Sequence, residues 1–119
     1  MSTSLRTSGR VTLRAVHFAS GKADLASDSD DALNEAVQAL KDNPDWKIRV
    51  EGYTDSVGNE NSNLKLSDDR AHTVMNWLAD HGVDQSRLTA RGYGEDNPVA
   101  SNARGSGRRR NRRVDLIRE

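Results

Sequence analysis

The sequence predicts an α+β domain: a two-layer sandwich of order β-α-β-α-β-β, with two helices packed on one face of a mixed four-stranded sheet. Three observations predict it. Apolar residues recur at helical spacing in two stretches, Leu33 to Leu40 and Leu64 to Leu78. Four shorter runs are rich in β-branched and apolar types or alternate in polarity, as strands do. The two kinds follow one another in the order given, so the chain needs right-handed crossovers that put both helices on the same side of the sheet.

Residues 1–10 (MSTSLRTSGR) are rich in Ser, Thr and Arg and read as a flexible segment ahead of a domain over 11–119. Val11 to Phe18 (VTLRAVHF) reads as the first strand. Ser27 is the expected cap of the first helix, with Asp28, Asp30 and Asp31 in the first turn, where the macrodipole favours acids. Leu33, Ala36, Val37 and Leu40 form its apolar stripe, and Pro44 ends it near Asn43. Trp46, Ile48, Val50 and Gly52 then alternate with Lys47, Arg49, Glu51 and Tyr53, the period of a strand with one buried face. The second helix is expected from about Glu60 to His81, with Gly82 as its C-terminal stop and Leu64, Ala71, Val74, Met75 and Leu78 as its stripe. Residues 87–92 and 112–118 suggest the last two strands, joined by a loop rich in Gly, Asn, Pro and Ser.

At 119 residues, with 34% hydrophobic and 4% aromatic content, the chain can bury a modest core but builds no large apolar pocket. Its 18 basic residues balance 18 acidic ones, which argues against a polyanion binder working through its overall field. There is no cysteine, hence no disulfide framework and no thiolate metal site. The start lacks the apolar core of a signal peptide, and no run approaches a membrane span. Taken literally the chain is soluble and unexported; it reads equally as a domain of a longer exported or anchored protein.

The stretch GYTDSVGNENSNLKLSDDRA, residues 52–71, carries the chemistry. Asn63 and Arg70 are seven apart and so lie within about 20° of each other around the helix, while Leu64 and Ala71 point about 100° away, into the sheet. Asp55, leaving the neighbouring strand, can fold back toward the same side, beside the unpaired N–H groups of the helix start. A carboxylate, a guanidinium, an amide and backbone donors at one place complement an amino-acid zwitterion. Spacing alone leaves a second reading open, in which Asp55 and Arg70 merely pair with one another across the turn.

The same stretch resembles the signature of OmpA-like peptidoglycan-binding domains, the group that includes the OmpA, Pal and MotB types. It matches at Gly52, Thr54, Asp55, Gly58, Asn63, Leu66, Ser67, Arg70 and Ala71. The likeness extends to VHFASGKADL, RLTARGYGEDNPVASN and GRRRNRRV, and so covers about residues 11–118. The resemblance implies the β-α-β-α-β-β fold and non-covalent binding of the peptidoglycan stem peptide. It implies that Asp55 holds the side-chain ammonium of meso-diaminopimelate and Arg70 the carboxylate on the same carbon. Asn63, Arg112, Thr54 and Leu66 would line the pocket, and Ser20 and Gly21 would supply backbone contacts. Two positions depart from the common pattern: Tyr53 stands where His is usual, and Ala19 where Asp often follows the first-strand Phe. The expected setting is the bacterial periplasm, as a soluble domain of an envelope-anchored parent that attaches it to the wall. The alternative is a protein-interaction or dimerisation module of an envelope complex, without wall binding.

Other chemistries are less well supported. The run GRRRNRR, residues 107–113, invites nucleic acid, but no aromatic platform accompanies it; a glycan-peptide polymer or the acidic first helix accounts for it as well. His17, His72 and His81 are too scattered for a metal site, and DLASDSDDALNE lacks the central Gly of a calcium loop. GYGEDNP opens no helix and so is no nucleotide loop. No Ser elbow, Cys nucleophile or raised carboxyl pair is evident, so neither an enzyme nor a cofactor is expected.

Overall fold

The computed structural model describes residues 1–13, 16, 18, 22–26, 29–96 and 98–119, without the side chains of residues 2 and 3. Among these the elements are α1 (Ser2–Thr7), β1 (Arg10–Thr12), α2 (Asp30–Asp42), β2 (Ile48–Tyr53), α3 (Glu60–Asp80), β3 (Leu88–Gly94), α4 (Gly105–Asn111) and β4 (Arg113–Arg118), with a 3-10 turn at Gln85–Arg87. The sheet runs β1-β4-β2-β3. β4 pairs antiparallel with both β1 and β2, whereas β2 and β3 are parallel. β1 and β2 therefore point the same way with β4 slotted between them, a mixed α+β sheet as the order of elements predicted.

The core lies between one face of this sheet and the helices. Ile48, Val50, Leu88, Val114 and Leu116 face Leu33, Ala36, Val37 and Leu40 of α2 and Ala71, Val74 and Leu78 of α3. Each such Leu, Ile or Val removed from water contributes about 1.5 to 3 kcal/mol before chain entropy is charged against it. α2 stops where expected, Asn43 being held out of helical geometry (φ −128°, ψ 72°) ahead of Pro44. Its N-cap is Ser29, two residues after the expected Ser27, while Ser27 and Asp28 lie outside the described residues.

Three elements and one residue differ from the sequence reading. The segment expected to be flexible carries α1, whose Leu5 is fully buried in the core. The first strand is only Arg10–Thr12; Phe18 instead makes an isolated bridge to Leu25. The loop before the last strand contains α4. Leu64, placed in the buried stripe of the second helix, is 47% exposed, because it is the backbone of Leu64 that lies close to Gly94.

α3 is seated by glycines. Gly52 and Gly92 are partners across β2 and β3, and a Cβ on Gly52 would come 2.2 Å from the Ser67 carbonyl oxygen. Ser67 and Asp68 then bond the edge strand: Ser67 Oγ accepts from Gly94 N at 2.8 Å and Asp68 Oδ1 from Gly92 N at 3.0 Å. The opposite sheet face is not the plain solvated surface that alternation predicted. Glu51 and Asp115, cross-strand partners, are buried there beneath Arg10, which reaches Glu51 at 3.1 Å and Asp115 at 2.6 Å.

Candidate functional site

The site grows from the end of β2. Thr54 N donates to Gly94 O at 2.7 Å, prolonging the pairing by one residue, and Asp55 then turns the chain, its Oδ1 accepting from Val57 N at 3.0 Å. Gly58, at φ 92°, supplies the left-handed residue that completes the reversal. Asn59 caps α3 by accepting from Ser62 N at 3.1 Å, which fixes where the helix begins. Asn63, in the first turn, ties the helix back to the loop by donating to Val57 O at 2.9 Å and Asp55 O at 3.4 Å.

Two further turns along, Arg70 is only 8% exposed. Its Nε donates to Lys22 O at 2.9 Å, and its guanidinium lies 5.0 Å from the centre of the Phe18 ring. Among the described residues it pairs with no carboxylate. Burial lowers its proton affinity, the positive charge of Arg112 lowers it further, and Asp55 opposes both. A guanidinium stays charged regardless, so the shift reports a buried cation lacking a close counter-charge.

Arg112 reaches the site from the residue just before β4, the strand paired beside β2. The antiparallel register sets Tyr53 opposite Arg113, so the residues just beyond these partners meet at the same end. Arg112 Nη1 lies 2.5 Å from Asp55 Oδ2. α4, which delivers Arg112, is itself anchored by Asn111, a fully buried residue that accepts from Val99 N and Ala100 N and donates to Ala100 O and Asn102 Oδ1.

Asp55, Thr54, Asn63, Leu66, Arg70 and Arg112 thus line one cleft of about 1290 Å³. Ser20 and Gly21 lie outside the described residues, although Phe18 and Lys22 on either side of them both touch Arg70. The suggested mutual pairing of Asp55 with Arg70 does not occur; Asp55 pairs with Arg112 instead. Thr54 turns its hydroxyl to Asp55 O at 2.9 Å, and Asn63 spends its amide nitrogen on the turn, so both shape the cleft through its backbone. Sequence reasoning missed Arg109, Arg110 and Ser106, which also line it from α4. The signal was present in GRRRNRR, where arginines flank an Asn. The suggestion that the acidic first helix accounts for that run fails, since among the described residues Arg108, Arg109 and Arg110 pair with no acid of α2. Arg108 donates to Asn102 O.

The OmpA family model matches residues 17–112. The peptidoglycan-binding protein ArfA of Mycobacterium tuberculosis is 37% identical over 107 residues, which are 90% of this chain and 33% of that protein. Outer membrane porin F of Pseudomonas aeruginosa is 41% identical over 101 residues, 84% of this chain and 29% of that one. Among solved structures, the peptidoglycan-associated lipoprotein from Burkholderia pseudomallei is similar with a TM-score of 0.80 at 30% identity, covering 87% of this chain and 88% of that one. The chain spans about a third of the length of the two curated relatives.

Proposed function

The chain belongs to the OmpA family, and from that premise we propose that it binds peptidoglycan without covalent chemistry, by the zwitterionic end of meso-diaminopimelate in the stem peptide. The observation that carries the reading is the state of Arg70. It is a buried guanidinium lining the cleft, next to a second positive charge and in ion-pair contact with no carboxylate among the described residues. Such a site is stabilised by an incoming carboxylate, which supplies the missing counter-charge and a bidentate match to the fork. Asp55 stands across the same cleft with Oδ1 on the backbone of Val57 and Oδ2 on Arg112. Carboxylate oxygens accept more than one bond each, so an ammonium can join Asp55 while Arg112 stays near to share the ligand's carboxylate with Arg70. The names of the relatives, a peptidoglycan-binding protein and a peptidoglycan-associated lipoprotein, support the same ligand class.

The proposed role is to hold the wall. One domain should bind moderately, because a small ligand end offers few contacts; firm attachment comes from many copies meeting a polymer. The proposed place is the periplasm, within a longer envelope-anchored parent. The described helices include none long and apolar enough to cross a membrane. Co-sedimentation with purified sacculi is the test. Asp55→Ala and Arg70→Ala should each abolish retention while circular dichroism stays that of the native fold, and retention of both variants at the native level would refute the assignment.

A further inference from the structure

The lining of the cleft has a charge that one zwitterion does not use. Among the described residues Arg70, Arg109, Arg110, Arg112 and Arg113 face it, against Asp55 as the one acid, in a chain whose formal net charge is zero. Three of the five are already committed. Arg112 holds Asp55, Arg113 lies 3.3 Å from Asp115 and 3.9 Å from the centre of the Tyr53 ring, and Arg70 is assigned to the diaminopimelate carboxylate. Arg109 and Arg110 remain. Both are exposed, and neither meets a carboxylate among the described residues.

Their placement is fixed. Asn111 locks the end of α4 with four hydrogen bonds, and Gly107 packs so closely on Ser101 that a Cβ would come 1.9 Å from the Ser101 carbonyl oxygen. A helix held this firmly keeps Arg109 and Arg110 on the same cleft as Arg112, like charges together at a cost that bound anions relieve. The cleft also has room. Clefts of roughly 300 to 1,000 Å³ enclose whole drug-sized ligands, and this one, at about 1290 Å³, exceeds what a single amino-acid end fills.

We propose that Arg109 and Arg110 form a second, anion-selective subsite that takes a further free carboxylate of the same stem peptide: the α-carboxylate of its γ-linked glutamate or its C-terminal carboxylate. The inference rests on the diaminopimelate reading above and adds that the domain prefers stem peptides whose other carboxylates are unamidated. Asp55 and Arg70 then choose the residue, while Arg109 and Arg110 read the charge of its neighbours.

Calorimetry with two synthetic tetrapeptides tests it. One is alanyl-γ-glutamyl-diaminopimelyl-alanine with all carboxylates free; the other is the same peptide amidated at glutamate and at the C-terminus, with the diaminopimelate end untouched. The native protein should bind the free form about tenfold tighter. In the double variant Arg109→Gln/Arg110→Gln the two affinities should converge to within about twofold, at the level of the amidated peptide on the native protein. Arg104→Gln, an exposed α4-flanking change outside the cleft lining, should keep the native preference. Equal binding of both peptides by the native protein overturns the subsite and leaves the diaminopimelate reading standing. Loss of the preference in Arg104→Gln as well overturns it in favour of a general field. Binding of neither peptide removes both the subsite and the reading beneath it.

Discussion

Arg112 Nη1 sits 2.5 Å from Asp55 Oδ2, although the two residues are 57 positions apart. The contact leaves Arg70 without the acid that its position in the motif suggested. The pair is partly exposed, Arg112 more than Asp55, so it adds little to stability. Its value is in orienting Asp55 and in placing a second guanidinium near the first. Arg112→Gln should therefore leave the melting temperature nearly unchanged and weaken sacculus binding about tenfold or more, the worth of one charge-assisted bond. It should not abolish binding, since Arg70 and Asp55 remain. An unchanged affinity would make Arg112 a bystander.

A ligand lacking the carboxylate beside its ammonium should bind worse. A lysine-type stem peptide offers Asp55 the same ammonium but gives Arg70 nothing, and it leaves that buried cation no better satisfied than in the empty cleft. Calorimetry should show the diaminopimelate peptide ahead by about 10- to 100-fold, the range for a hydrogen bond to a charged group. Equal affinities would mean that Arg70 is not the carboxylate partner.

How much of this was written in the sequence depends on whether an element owes its form to local pattern or to distant contact. The stripes of α2 and the lower part of α3 are periodic, and they bury as their spacing says. Asp55, Asn63 and Arg70 come together because one turn and one helix carry all three. Their partners were not legible. The contact between Asp55 and Arg112 follows from the register of β2 on β4, which no local rule specifies. α4 has two glycines and a serine in its first turn and no apolar stripe, so propensity argues against it; it forms because Asn111 and Gly107 dock on residues 99–102. Leu64 fits the helical period yet stays exposed, because Ser67 and Asp68, bonded to β3, take the contact with the sheet. Glu51 alternates as an outward residue and is buried all the same, because Arg49, Arg10 and Tyr53 close over it.

The seating of α3 predicts a stability effect that reaches the site. A Cβ at Gly92 would lie 2.1 Å from Asp68 N and 2.4 Å from Ser67 Oγ, and backbone cannot step aside as a side-chain tip can. Gly92→Ala should cost about 1 to 3 kcal/mol in urea unfolding, the range for overpacking. Because α3 also carries Arg70, relief of the clash moves the guanidinium with it, and sacculus binding should fall in the fraction that remains folded. A variant of native stability would show that the helix does not rest on this strand as described.

The far face of the sheet predicts the behaviour at alkaline pH. Tyr53 is 3% exposed and donates its hydroxyl to Glu51 Oε1 at 2.7 Å. Burial, and then that bond to a carboxylate, push its pKa up to about 12 from an ordinary 10.0. A raised phenol pKa means that folding favours the neutral form, so the stabilisation is complete below the unfolded value and is lost as pH rises from there through the folded one. The amount at stake is on the order of 2 to 3 kcal/mol. Glu51 works in the opposite direction. Burial pushes it up, but the Tyr53 hydroxyl, Arg49 and Arg10 outweigh burial and hold it below the ordinary 4.5, so its contribution is present above that value and fades as pH falls through the folded one. Tyrosinate absorbance should accordingly show an ionisation displaced to about pH 12 that vanishes in Tyr53→Phe, and the native protein should lose unfolding free energy between about pH 10 and 12 more steeply than that variant does. Coincident stability profiles for the two proteins over that window would mean that the phenol is not held by Glu51 and that the buried acids depend on the arginines alone.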